Sequence, residues 1–171
     1  MQIENSNLSD LPAIFRLYEL ATAFQRSKKE VVVWPAFDRE MVKEEIEKKS
    51  QWKVLIDGEV ACVWATTFAD PQIWEERDAD PAVYIHRIST NPDFRGNNFV
   101  KIITDWARGY AAEQGKQFVR LDTIGENLGL IKHYQKAGFT FLGLFDLKNR
   151  AGLPDHYQTG LACLFEIALD A

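Results

Sequence analysis

Apolar residues recur along the chain at two spacings, and the switches between them mark out the elements. Gln2-Ile3-Glu4 reads as a short first strand. Ser9 or Asp10 then caps a helix with Pro12 in its first turn, and Leu11, Ile14, Phe15, Tyr18 and Ala21 keep the helical period. The apolar run Val31-Val32-Val33-Trp34-Pro35 breaks that period. Asp38 caps a second helix running to about Lys49, with Phe37 and Val42 spaced as a hydrophobic staple. Trp52 to Ile56 and Val60 to Phe68 alternate as strands around Asp57-Gly58, a strong two-residue hairpin signal. A loop with Pro71, Pro81 and the acids Glu75, Glu76, Asp78 and Asp80 leads to a strand over Val83 to Thr90.

Asn97 or Asn98 opens a long helix whose stripe is Phe99, Ile102, Ile103, Trp106, Ala107 and Tyr110, with Gly115 at its end. Phe118 to Asp122 is a strand, and Asn127 to Ala137 a short helix closed by Gly138. Phe139 to Phe145 and Leu161 to Ile167 are the last strands. The order β-α-α-β-β-β-α-β-α-β-β joins an antiparallel hairpin to a parallel strand–helix–strand unit over residues 83 to 122. It predicts a mixed sheet with helices on both faces, an α/β fold. No repeat or linker divides the 171 residues, so a single domain over 1–171 is expected.

Composition narrows the function classes. Hydrophobic residues are 46% and charged residues 26%, an ordinary globular balance. The net charge is −5, and the longest cationic stretches are Lys28-Lys29 and Lys48-Lys49, so a nucleic-acid partner is not expected. Residues 1–10 are polar and no apolar run reaches the length of a membrane span. Cys62 and Cys163 sit in strand-like runs without C-x-x-C spacing and read as buried thiols in a reducing compartment. A cytoplasmic protein is expected, and no metal-ligating motif is evident.

The segment most able to carry chemistry is Ile88-Ser89-Thr90-Asn91-Pro92-Asp93-Phe94-Arg95-Gly96-Asn97-Asn98-Phe99-Val100. A strand stops at Pro92, a polar turn with Gly96 follows, and a helix begins. A helix N-terminus offers unpaired N–H groups and partial positive charge, which suit a phosphate or pyrophosphate. Arg95 adds a cation with phosphate-matching fork geometry. A plain strand-to-helix turn accounts for the same residues. A second segment, Leu121 through Phe139, ends a strand, starts a helix at Asn127, places Tyr134 two turns on, and closes in Ala137-Gly138-Phe139.

Together the two segments resemble the GNAT superfamily of N-acetyltransferases. That family's signature reads Val-x-Pro-x-x-Arg-Gly-x-Gly-x-Gly/Ala, then Asn-x-x-Ala-x-x-x-Tyr-x-x-x-Gly-Phe. Thr90 through Gly96 and Asn127 through Phe139 align with it without gaps. The resemblance is specific over residues 83 to 145 and supported elsewhere by element order. It implies the GNAT-like acyl-CoA N-acyltransferase fold and acetyl-CoA, or coenzyme A, as cosubstrate. It places Ile88, Ser89, Thr90, Arg95, Gly96, Asn97, Asn98, Phe99, Val100, Asn127, Ile131 and Tyr134 against that molecule. Asn98 and Val100 stand where the family carries small residues. Asn tolerates a left-handed backbone, whereas Val100 either faces the core or narrows the phosphate site.

The resemblance further implies a backbone N–H near Ile88 for the acetyl oxygen and Tyr134 as the acid that protonates the leaving thiolate. Tyr134 is also spaced as a core aromatic. The family's strand Glu is missing from Ala82–Ile88, where His86 titrates near neutrality and shares a face with Tyr84 and Ile88. Arg87 faces the other way toward a surface acid, and Asp122 is a second candidate base. The expected function is acetyl transfer to a primary amine of a small molecule or peptide. The alternatives are a non-catalytic acyl-CoA-binding module of the same fold and an unrelated nucleotide-binding α/β protein. Trp34, Phe37, Trp64 and Trp74 suit either an acceptor pocket or core packing. A homodimer through a strand edge or the C-terminal strand fits the pattern, and no membrane partner is expected.

Overall fold

The computed structural model describes residues 1–28 and 32–170; Lys29 and Val31 lie outside them. The strands form one mixed sheet of seven, in the order β1-β2-β3-β4-β5-β7-β6. The chain divides into two compact units, residues 1–66 with 86–98, and residues 67–85 with 99–171.

The first unit holds β1 (Gln2–Asn5), α1 (Leu11–Ser27), α2 (Arg39–Glu47), β2 (Gln51–Ile56) and most of β3 (Glu59–Thr67). β1 and β3 flank β2, each antiparallel to it. The β2–β3 turn places Asp57 at φ 51° and Gly58 at φ 82°, the paired left-handed residues that match the twist of a two-residue hairpin. Asp10 occupies the N-cap position of α1, but its side chain makes no capping bond to that helix. Asn7 caps a short 3-10 turn over Leu8–Asp10, and the Asp10 carboxylate accepts from the Asn7 N–H and from Lys53 Nζ. Asp38 caps α2 as its sequence position predicts, accepting from the Glu40 N–H at 3.2 Å. Ile14, Leu17, Tyr18, Val42, Ile46 and Val63 form the core.

The second unit begins with α3 (Pro71–Trp74) and the opening residues of β4 (Ala82–Thr90), then α4 (Phe99–Glu113), β5 (Phe118–Ile124), α5 (Leu128–Ala137), β6 (Thr140–Phe145) and β7 (Ala162–Ala168). β4 and β5 pair in parallel from Ala82↔Phe118 to Ile85↔Leu121. β7 pairs antiparallel with β5 over its whole length and with β6 on its other side. On α4, Phe99, Ile103, Ala107 and Ala111 are buried. Trp106 and Tyr110 lie at the stripe's edge, stacked on each other at 4.9 Å, with Phe68 beside Tyr110. Arg120 is fully buried, held by Asp80, Glu166 and the Tyr84 hydroxyl. Cys62 and Cys163 are buried and unbridged, and among the described residues no helix is long and apolar enough to cross a membrane.

Candidate functional site

Strand β4 enters the first unit at His86, and its regularity ends there. Arg87 adopts φ 52°, a conformation costly for a residue with a Cβ. The strict alternation that places His86 on one face with Tyr84 and Ile88 is therefore interrupted. Arg87 does pair with an acid, but not one on the surface. Its Nη2 donates to Glu45 of α2 at 2.6 Å, its Nε to the Tyr18 hydroxyl at 3.2 Å, and the two charged side chains are only 14% and 21% exposed. Burial and the neighbouring Arg87 charge push His86 down to about 3, so its imidazole is neutral and a weak base across the physiological range. Beyond it Ile88 and Thr90 are half-buried, and Ser89 is buried with its hydroxyl donating to the Arg87 carbonyl.

The turn after β4 is built by side chains on main chain. Buried Asn91 donates its N–H to the Ala61 carbonyl and its amide to the Val60 carbonyl, while its Oδ1 accepts from the Asp93 N–H. A 3-10 turn over Pro92–Phe94 follows, and the Arg95 N–H donates to the Pro92 carbonyl. That N–H is spent within the turn, so what Arg95 brings to a phosphate is its side chain. The guanidinium is exposed and sits 5.1 Å from the centre of the Phe24 ring on α1. Gly96 takes φ 93° and Asn98 φ 52°, with the Asn97 amide donating to the Phe94 carbonyl between them. A Cβ on Gly96 would meet nothing within 4 Å, so glycine is required there by backbone conformation rather than by crowding.

Phe99 and Val100 open α4 in the second unit. Phe99 is buried in the core, Val100 half-buried. The first turn of any helix carries N–H groups without intrahelical partners, and here it directly follows the two left-handed residues. Asn127 caps α5, its Oδ1 accepting from the Leu130 N–H at 3.0 Å. Ile131 is buried, and Tyr134 is half-buried with its ring 5.0 Å from Phe165 and 6.1 Å from Phe139.

Asp122, near the end of β5, accepts from the Tyr157 hydroxyl at 2.8 Å, and burial pushes it up to about 6. Asp70, at the start of α3, has a carboxylate oxygen within 4.8 Å of one on Asp122. Burial, then the charges of Asp122 and Asp78, push it up to about 8. Sequence reasoning missed Asp70 and Tyr157. Asp70 stands beside a run of loop acids, and only its position between Phe68-Ala69 and Pro71 sets it apart. The four aromatics divide cleanly. Trp64 and Trp74 are core residues at 0% and 1% exposure, whereas Trp34 and Phe37 are half-buried beside Phe15 and Tyr18.

The model of the "Acetyltransferase (GNAT) family" matches residues 12–139. The uncharacterized N-acetyltransferase YesJ of Bacillus subtilis (strain 168) is 24% identical over 74 residues, 43% of this chain, and the chain spans 41% of that relative. Among solved structures, a GNAT-family acetyltransferase from Listeria monocytogenes 4b F2365 superposes with a TM-score of 0.77 at 22% identity, over 98% of this chain and 94% of that one. The Salmonella typhimurium protein yncA, solved with its cofactor acetyl-CoA, gives 0.70 at 14% identity, over 100% of this chain and 95% of that one. The ribosomal-protein-alanine N-acetyltransferase from Brucella melitensis gives 0.70 at 14% identity, over 99% and 100%. Likeness at these identities shows a shared fold.

Proposed function

The chain belongs to the GNAT acetyltransferase family, and from that premise we propose that it transfers acetyl from acetyl-CoA to a primary amine of a small molecule or peptide. The observation that carries the reading is the turn into α4, where left-handed Gly96 and Asn98 precede the helix start and Arg95 stands exposed beside it. Backbone amides so arranged bind phosphate oxygens, and Arg95 supplies the counter-charge. The solved relative with acetyl-CoA supports this choice of donor. The similarity over nearly the whole chain supports reading the two compact units as parts of one catalytic domain.

In this reading the pantetheine arm follows β4 beyond Ile85, where the pairing with β5 ends, and Asn127 hydrogen-bonds it. Ile88, Ser89 and Thr90 form its bed, and Ile131 packs on it from α5. The acetyl oxygen takes a backbone N–H near Ile88 as negative charge develops. The amine nitrogen attacks the thioester carbonyl carbon, the C–N bond forms, and the C–S bond breaks. The electron pair leaves on sulfur, which takes its proton from the Tyr134 hydroxyl. The amine's proton goes to a carboxylate, and Asp122 suits that role better than His86. A base works best with a pKa near the working pH. Asp122 is raised to about 6, and His86 is lowered to about 3.

The weak basicity of His86, on a strand with no Glu, is also what favours the second reading, a domain that binds acyl-CoA without turning it over. Titration calorimetry with acetyl-CoA and CoA, joined to a thiol-release assay over an amine panel, tests both. Micromolar binding with thiol release supports the enzyme. Binding without release for any amine supports the binding module. Failure to bind either nucleotide overturns both.

A further inference from the structure

Resting on the acetyltransferase reading, we propose that the acceptor is a small monoamine with an aryl or branched-alkyl body, held in a cavity along α1. The cavity measures about 270 Å³, just under the ~300–1,000 Å³ usual for ligand pockets. It suits one compact body rather than a length of peptide. Phe15, Tyr18, Trp34 and Phe37 wall it. Their rings meet edge to face at centroid distances of 5.1 to 6.5 Å, a packed aromatic wall suited to an apolar body. Along α1 the lining positions recur every three or four residues from Phe15 to Arg26, so a single helix face lines the cavity for roughly 16 Å.

The cavity is tied to the strand of the proposed reaction. The Tyr18 hydroxyl accepts from Arg87 Nε at 3.2 Å, and Arg87 adjoins Ile88 on β4. That hydrogen bond joins one wall of the cavity to the residue next to the one assigned to the thioester.

Charge decides what the guest is. Three of the four rings already carry a cation. Arg87 lies over Tyr18 and Phe37 at 5.8 and 5.4 Å, and Arg39 over Phe15 at 5.8 Å. Arg26 itself lines the cavity, and Glu19, next to Tyr18, is the acid among the described lining residues. One ammonium beside Glu19 is accommodated. A second positive charge would meet the Arg26 guanidinium on the same wall. The chain's net charge of −5 attracts cations in general, but at this cavity the local charges select against polyamines and basic peptides.

The test uses the full chain with 2-phenylethylamine, isoamylamine, spermidine and a lysine peptide. Binding is measured by calorimetry with CoA present, and turnover by thiol release from acetyl-CoA. The two monoamines should show kcat/KM at least tenfold above spermidine and the peptide. Ala23→Trp adds bulk to the cavity wall from an exposed position on α1. It should raise KM for 2-phenylethylamine at least tenfold and leave KM for acetyl-CoA unchanged. Glu19→Gln should also raise the amine KM, and serves if Ala23→Trp folds poorly. Turnover that prefers spermidine or the peptide, or a parent-like amine KM in both variants, overturns the proposal and leaves the enzyme reading standing. CoA binding with no thiol release from any amine overturns the enzyme reading instead. In that case calorimetric binding of 2-phenylethylamine, lost in Ala23→Trp, supports the cavity assignment, and its absence overturns it.

Discussion

At Asn98 the backbone takes φ 52°, a region in which Asn is several-fold enriched among residues with a side chain. The sequence departs from the family's small residue there, yet the conformation that the small residue serves is kept. Arg95 is the residue on which phosphate binding is most exposed to test, because its N–H is already bonded to Pro92 and only its side chain remains to be removed. Arg95→Ala should weaken CoA binding by about 1.5–3 kcal/mol, roughly 10- to 150-fold, as read by calorimetry. Unchanged affinity would show that the guanidinium serves Phe24 and not a phosphate. Tyr134→Phe tests the other end of the reaction. The ring keeps its contacts with Phe139 and Phe165, so the melting temperature should hold while kcat falls by a factor on the order of 10²–10⁴. KM for acetyl-CoA should change little, because the hydroxyl acts only as the thiolate departs. A variant as fast as the parent would remove Tyr134 from the mechanism.

Among the elements, those with strong local signals read directly from sequence. Asp57-Gly58 fixes the β2–β3 hairpin, Asp38 starts α2, Gly138 ends α5 at φ 109°, and the parallel β4–β5 pair follows from the connection through α4. What was not legible depends on long-range pairing or on backbone without a local cue. Nothing near β7 announces that it pairs with β5 as well as β6. Nothing in Ala82–Ile88 announces a left-handed Arg87, and a period of two assumes that no such residue occurs. Asp70 was equally opaque, since the desolvation of its carboxylate and the nearness of Asp122 are set by the fold. The structure shows what holds Arg87 in that conformation. Glu45 from α2 and Tyr18 from α1 both bond its guanidinium. Glu45→Ala should therefore cost about 3 kcal/mol, the low end for stranding one partner of a buried ion pair, measured by urea denaturation. Arg87→Lys should recover little, because an ammonium lacks the fork that reaches both partners. A loss below about 0.5 kcal/mol, the level of an exposed pair, would show that the latch is dispensable.

At the scale of the whole molecule, buried ionisable groups pull the stability curve in opposite directions. His86 is lowered from 6.5 to about 3. The unfolded chain protonates it first, so its contribution is present above pH 6.5 and is lost as pH falls from there toward 3. Asp70 is raised from 3.8 to about 8, and Asp122 from 3.8 to about 6. Here the folded chain holds the proton more tightly. Their contributions are present below pH 3.8 and are lost as pH rises, through 6 for Asp122 and through 8 for Asp70. Between pH 4 and 6 the losses from the two carboxyl groups outweigh the gain from His86 and stability falls; between pH 6 and 6.5 the Asp70 loss and the His86 gain cancel and the curve is shallow. Above pH 6.5 the loss from Asp70 dominates the three, so stability should fall from pH 6.5 to 8.5. Asp70→Asn keeps the shape and deletes the titration. At pH 8.5 it should exceed the parent's stability by about 2 kcal/mol, discounted from the roughly 1.4 kcal/mol that each pH unit of displacement is worth, and its curve should flatten over that window. At pH 5 the two proteins should differ little. Urea titrations of both at pH 5, 6.5 and 8.5 decide it, and equal slopes in parent and variant would show that Asp70 is ionised in the folded protein at neutral pH.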